Sequence, residues 1–129
     1  MRVLLDTHVW LWMWGDPEAL RNKTRAMLED PSTELCVSAV SVWEIAVKEA
    51  AGRLRLPVPA EAWLADPLHR DDVAELPITF AHAIRAGTLP PHHRDPFDRM
   101  LVAQAQIEGI ALVTADPAMR DYAVEVLPA

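Results

Sequence analysis

Four carboxylates stand where an α/β chain does chemistry. Asp6 ends the apolar run Val3–Leu4–Leu5, and Asp116 follows Ile110–Ala111–Leu112–Val113–Thr114–Ala115. In an open parallel sheet, ligands bind in the crevice outside the carboxyl ends of the strands, so both aspartates stand at its mouth. Glu44 and Asp98 lie on helical stretches. On the helical wheel Glu44 falls beside Val47 and Ala51, at the border of the apolar face, and Asp98 projects between Val102 and Ala105. A carboxylate on a packing face is costly to desolvate without a partner, and several that converge raise one another's pKa until a cation neutralises them. Hard oxygen donors with no cysteine pair nearby favour Mg2+ or Mn2+ over zinc.

Each acid also has a capping reading. Asp6 before Thr7 and Asp116 before Pro117 can cap the helices that follow, Glu44 sits three residues after Ser41 at capping-box spacing, and Asp98 can be a first-turn acid behind an Asp95 N-cap. The elements that hold these residues decide between solvated caps and a shared crevice. Arg2–Leu5, Leu35–Ser38, Val73–Leu76, Ile110–Thr114 and Val124–Leu127 are short apolar runs of strand length. Between them, helical spacing is found over Val9–Trp14, Pro17–Glu29, Val42–Ala51, Ala60–Leu64, Phe80–Ala86, Pro96–Glu108 and Pro117–Tyr122. Strands alternating with helices predict an α/β fold in three layers: a short parallel sheet of four to five strands, flanked by helices on both faces. That topology lets two strand ends and two helix starts converge.

The 129 residues are 51% hydrophobic and 24% charged, which predicts one folded domain over 1–129 and excludes a disordered chain. The formal charge of −7 is the wrong sign for gripping nucleic acid by phosphate neutralisation alone, so such an activity must recruit positive charge from elsewhere. Cys36, the single cysteine, lies in a predicted strand and reads as a buried small hydrophobe in a reducing compartment. The longest uninterrupted apolar stretch, Val9 to Trp14, is far below the ~18 residues a membrane span needs. With no signal peptide in the opening residues, a cytoplasmic location and no membrane partner are expected.

With its acids placed, the chain resembles a PIN-domain nuclease, and more narrowly a VapC-type toxin of a bacterial type II toxin–antitoxin pair. The resemblance runs through Leu5–Asp6–Thr7–His8, Ser41–Val42–Trp43–Glu44 and Gly52–Arg53–Leu54–Arg55–Leu56–Pro57. Its most specific stretch is His93–Arg94–Asp95–Pro96–Phe97–Asp98–Arg99–Met100–Leu101–Val102–Ala103–Gln104–Ala105, followed by Leu112–Val113–Thr114–Ala115–Asp116. Carried over residue by residue, it implies that Asp6, Glu44, Asp98 and Asp116 form an acidic, catalytic Mg2+ or Mn2+ site with Asp95 close by, and that Thr114 orients that site or a bound water. It also implies an RNA substrate, a homodimer, and a cognate VapB-like antitoxin with which the chain assembles into a larger complex on DNA.

Lys48, Arg85, His92, His93, Arg94 and Arg99 are basic groups available to hold an RNA backbone, Arg94 and Arg99 first because they flank the site in sequence. His92 and His93 follow Pro90–Pro91 in a loop, where either could meet substrate or protonate a leaving group. Two other classes compete. A haloacid-dehalogenase-like phosphatase also opens on a strand-end aspartate but wants a second one at the position of His8. A catalytically silent binding module of the same fold would keep the core but has no reason to hold four convergent acids.

Overall fold

The computed structural model describes residues 1–129, the side chain of Leu68 excepted. Five parallel strands, β1 (Arg2–Leu5), β2 (Glu34–Ser38), β3 (Val73–Leu76), β4 (Ala111–Thr114) and β5 (Val126–Pro128), form one sheet in the order β3-β2-β1-β4-β5. The helices are α1 (Thr7–Gly15), α2 (Asn22–Glu29), α3 (Ala39–Ala50), α4 (Ala60–Ala65), α5 (Pro67–Arg70), α6 (Phe80–Thr88) and α7 (Pro96–Glu108).

Alternation along the strands divides the core into two. Val3, Leu5, Leu35, Val37, Ala111 and Val113 face one layer with Val9, Trp10, Ile45 and Trp63; Leu4, Cys36 and Leu112 face the other with Leu101, Val102 and Met119. Strands buried on both faces need continuous apolar runs, which explains why Val3–Leu4–Leu5 and Ala111–Leu112–Val113 carry no polar residue. The three-layer α/β architecture expected above is the one observed. Cys36 is fully buried, as predicted for a small apolar side chain.

The chain runs outward from β1 to β2 and β3, then returns to lay β4 and β5 on the other side of β1. The order therefore reverses between β1 and β4, which opens a crevice at their carboxyl ends. The register fixes that crevice: Leu5 pairs with Val113, and the Asp6 N–H donates to the Val113 carbonyl at 2.9 Å.

Several elements depart from expectation, among them the short helix α5, which the spacing did not predict, and a 3-10 turn over Pro117–Asp121 where a helix was expected. The stretch Pro17–Glu29 is a 3-10 turn over Pro17–Ala19 and a separate helix α2, because Leu20 adopts an extended backbone that drives its side chain into the core. Helix α3 starts at Ala39, with Ser38 as its cap through a 3.0 Å bond from the Val40 N–H, so the Ser41–Glu44 capping box does not form. Both Ser41 and Glu44 are instead buried one turn into the helix. The last strand begins at Val126, after the turn through Tyr122–Val124.

Candidate active site

The site is assembled from helix starts at the sheet's carboxyl edge. Asp6 caps α1, its Oδ1 accepting the Thr7 N–H at 2.7 Å, while its Oδ2 accepts from the Thr114 hydroxyl at 2.6 Å. Asp116 repeats the pattern beyond β4: Oδ1 accepts the Ala118 N–H at 2.9 Å and Oδ2 faces His93 Nε2 at 3.1 Å. Asp95 caps α7, accepting the Phe97 N–H at 2.8 Å, and Asp98 stands in the same first turn. Glu44 reaches in from α3, where the Thr7 hydroxyl donates to its Oε1 at 2.6 Å and Lys48, one turn further on, pairs with its Oε2. The Ser41 hydroxyl, 2.8 Å from Thr7, completes this link between α1 and α3.

Asp6, Glu44, Asp95, Asp98 and Asp116 line one pocket of about 290 Å³, together with Thr7, His8, Lys48 and Arg53. Capping and convergence are thus compatible. A carboxylate has two oxygens, and at Asp6 and Asp116 one satisfies a helix N-terminus while the other meets a side chain of the site.

Concentrating negative charge here has an electrostatic cost. Burial, with the charges of Asp6, Asp95 and Glu44 added, pushes the Asp98 carboxyl up to about 7 against the opposing pull of His93. Burial also raises Asp6, although His8, the Thr114 hydroxyl and the Thr7 amide oppose it. At Asp116 burial acts upward too, but the Ala118 amide and His93 outweigh it and hold this carboxyl below the usual range. An oxygen-rich cluster whose central member resists ionisation is chemically suited to a hard divalent cation; His93, Asp98 and Asp116 each bring a ligand atom within 4.8 Å of the others'.

A pH dependence follows from the raised groups. Between the ordinary carboxyl value of 3.8 and about 7, the folded metal-free protein holds a proton at Asp98 that the unfolded chain has released. Its stability therefore falls as pH rises through that window, and Asp6 acts in the same direction. A cation that displaces the Asp98 proton stabilises more as pH rises. Melting temperatures measured from about pH 5 to about pH 8 are expected to fall in EDTA while the increment added by Mn2+ grows; an increment that shrinks with pH contradicts this account.

The other predicted residues divide. Thr114 is buried and joins two acids, donating to Asp6 and accepting the Asp116 N–H at 3.0 Å. Arg94 is exposed and forms no ion pair among the described residues. Arg99 has been drawn away from any phosphate: its guanidinium donates to the carbonyls of Ala86 at 2.9 Å, Leu89 at 3.0 Å, Pro90 at 3.1 Å and His93 at 3.3 Å. His92 is exposed beside Tyr122, whereas His93 enters the cluster. Sequence reasoning assigned no site role to Thr7, His8 or Arg53, and gave Ser41 only a capping role. His8 lies 3.5 Å from Asp6 and accepts the Ala115 N–H at 3.0 Å; its spacing of two from a strand-end aspartate was the available signal. Arg53 follows Gly52, whose φ of +70° ends α3 and turns the chain back to the pocket rim.

Comparison with known proteins gives this arrangement its lineage. Residues 3–125 match the PIN domain. The chain is 34% identical over 121 residues to ribonuclease VapC22 of Mycobacterium tuberculosis, covering 93% of this chain and 91% of that protein. Among solved structures it superposes on VapBC2 from Rickettsia felis bound to a promoter DNA fragment (TM-score 0.72, 12% identity, 99% of this chain and 98% of that one). It also superposes on DNA-bound VapBC from Salmonella typhimurium (TM-score 0.69, 16% identity, the same coverage). An acid-lined switch point and a match along nearly the whole chain agree: this protein belongs to the PIN-domain family and, within it, to the VapC-type group.

Proposed function

We propose that this chain is a divalent-metal-dependent endoribonuclease, the toxin of a VapBC-type pair, hydrolysing RNA phosphodiester bonds. The observation that carries the reading is the gathering of Asp6, Glu44, Asp95, Asp98 and Asp116 around one pocket, with Asp98 pushed up to about 7. A protein-binding module has no use for so costly a cluster.

Asp6, Asp98 and Asp116 supply the ligand oxygens, with Glu44 and Asp95 beside them. These carboxylates would hold Mg2+ or Mn2+, which would supply charge neutralisation and Lewis-acid activation of a water. Thr114 ties the Asp6 carboxylate to the backbone of Asp116, and the Thr7–Ser41 pair holds Glu44. Lys48 is engaged by Glu44, which leaves Arg53 as the pocket-lining cation with no ion pair among the described residues. It is the chain's phosphate contact, with Arg94 on the surface beyond. This answers the charge problem, since the acids responsible for much of the −7 are those a metal neutralises. A VapB-like antitoxin, a homodimer, a complex with the antitoxin on DNA and a cytoplasmic location complete the reading; among the described residues no helix is long and apolar enough to cross a membrane.

The purified chain is expected to cleave RNA with Mg2+ or Mn2+ and to stop in EDTA, and Asp6→Asn is expected to be inactive but folded. Cleavage that persists equally in that variant marks a contaminant and removes the support. Arg53→Ala should raise KM more than it lowers kcat. In binding measurements on an inactive background, it should reduce the slope of log K against log salt by roughly 0.7, the value for one phosphate contact to a single strand. An unchanged slope takes Arg53 off the RNA.

A further inference from the structure

His93 is fixed at more points than a loop histidine needs. Its backbone N–H donates to the Tyr122 hydroxyl at 2.8 Å, and its carbonyl accepts from Arg99 at 3.3 Å. The ring is held as well, since Nδ1 accepts the Asp95 backbone N–H at 3.2 Å. With Nδ1 accepting, the ring proton belongs on Nε2. That atom is hydrogen-bonded to Asp116 Oδ2 at 3.1 Å and lies 3.2 Å from Asp98 Oδ2, so one N–H stands between two carboxylates from different elements.

The same three side chains have metal-ligand spacing, and the hydrogen-bond pattern separates two roles for His93. As a ligand through Nε2, the ring would carry its proton on Nδ1, pointing it at the Asp95 N–H only 3.2 Å away. Two donors would then face each other. We propose that His93 is a positioning residue that bridges the two acids in the metal-free protein, its Nε2–H donating to Asp116 and standing against Asp98, and that a divalent cation displaces this bridge rather than gaining a ligand.

The inference rests on the metal-site reading above and extends it. If His93 acts on the metal-free state alone, removing it destabilises that state and leaves the loaded state untouched. By linkage, metal then binds more tightly. Removing one charge-assisted hydrogen bond predicts roughly tenfold tighter binding for His93→Ala. His93→Gln keeps an amide N–H able to reach the same oxygens and should stay near wild type.

The test is calorimetric titration of Mn2+ into the full chain as wild type, His93→Ala and His93→Gln, with melting curves in EDTA. The expected result is a lower metal-free melting temperature and a tighter Kd for His93→Ala, both restored by His93→Gln. Weaker binding by His93→Ala makes His93 a ligand and overturns the proposal, as does an unchanged Kd. Long-range proton–nitrogen NMR gives a second readout: Nε2–H in the metal-free protein supports the bridge, and Nδ1–H overturns it. Failure of the wild type itself to bind Mn2+ or Mg2+ removes the metal-site reading and this inference with it, an outcome distinct from any difference between variants.

Discussion

Asp98→Asn is expected to abolish RNA cleavage, lowering kcat by on the order of 10³-fold or more, while raising the melting temperature of the metal-free protein. Asparagine keeps the shape of aspartate and one carbonyl oxygen for His93 Nε2, but removes the charge that burial and the neighbouring acids resist. The ionised carboxyl is thus a functional group held at a cost to folding, and neutralising it relieves that cost. A gain of about 1 kcal/mol corresponds to roughly 3–5 °C in a domain of this size. Cleavage kinetics in Mn2+ and melting curves in EDTA read the two halves separately. A variant that loses activity together with several degrees of stability would make Asp98 a structural residue.

Arg99→Ala is expected to act through the fold. Four carbonyls share this one guanidinium: two from the last turn and cap of α6, two from the loop that leads into α7. Helix C-termini leave carbonyls unsatisfied, and a planar fork of five N–H donors suits several at once. Losing these charge-assisted bonds should cost about 2–4 kcal/mol, lowering the melting temperature by roughly 10 °C. Arg99→Lys keeps the charge but not the fork, and most of the loss should remain. Cleavage should fall secondarily, because the loop carries His93 and Asp95. A raised KM at unchanged melting temperature would instead restore Arg99 to the RNA.

These two residues mark where the sequence was legible. Asp98 was visible because a charge on the apolar side of a helical wheel is anomalous whatever the tertiary fold. Asp6 and Asp116 were visible because strand ends are special places in a parallel sheet, and here both flank the point where strand order reverses. Arg99 sits in the same conspicuous motif, yet its task depends on how close the end of α6 comes to the start of α7, a distance that residue spacing does not encode. Glu44 was visible at the border of an apolar helical face, against a capping alternative that fails: α3 begins at Ala39, and the glutamate is held by Thr7 across the crevice. Arg53 and His93 were harder still. One depends on a left-handed glycine turn at Gly52, the other on Tyr122 and Arg99, 29 and 6 residues further along the chain, pinning the same loop.

Crystals of the wild-type chain grown with Mn2+, and measured for anomalous scattering at the manganese edge, bear most directly on why five acids share one pocket. The account expects an anomalous peak about 2.0–2.2 Å from oxygens of Asp98 and Asp116, with Asp6 in the same coordination sphere or one water away. An empty pocket at saturating Mn2+, with these carboxylates still bonded only to their amides, hydroxyls and His93, would contradict it.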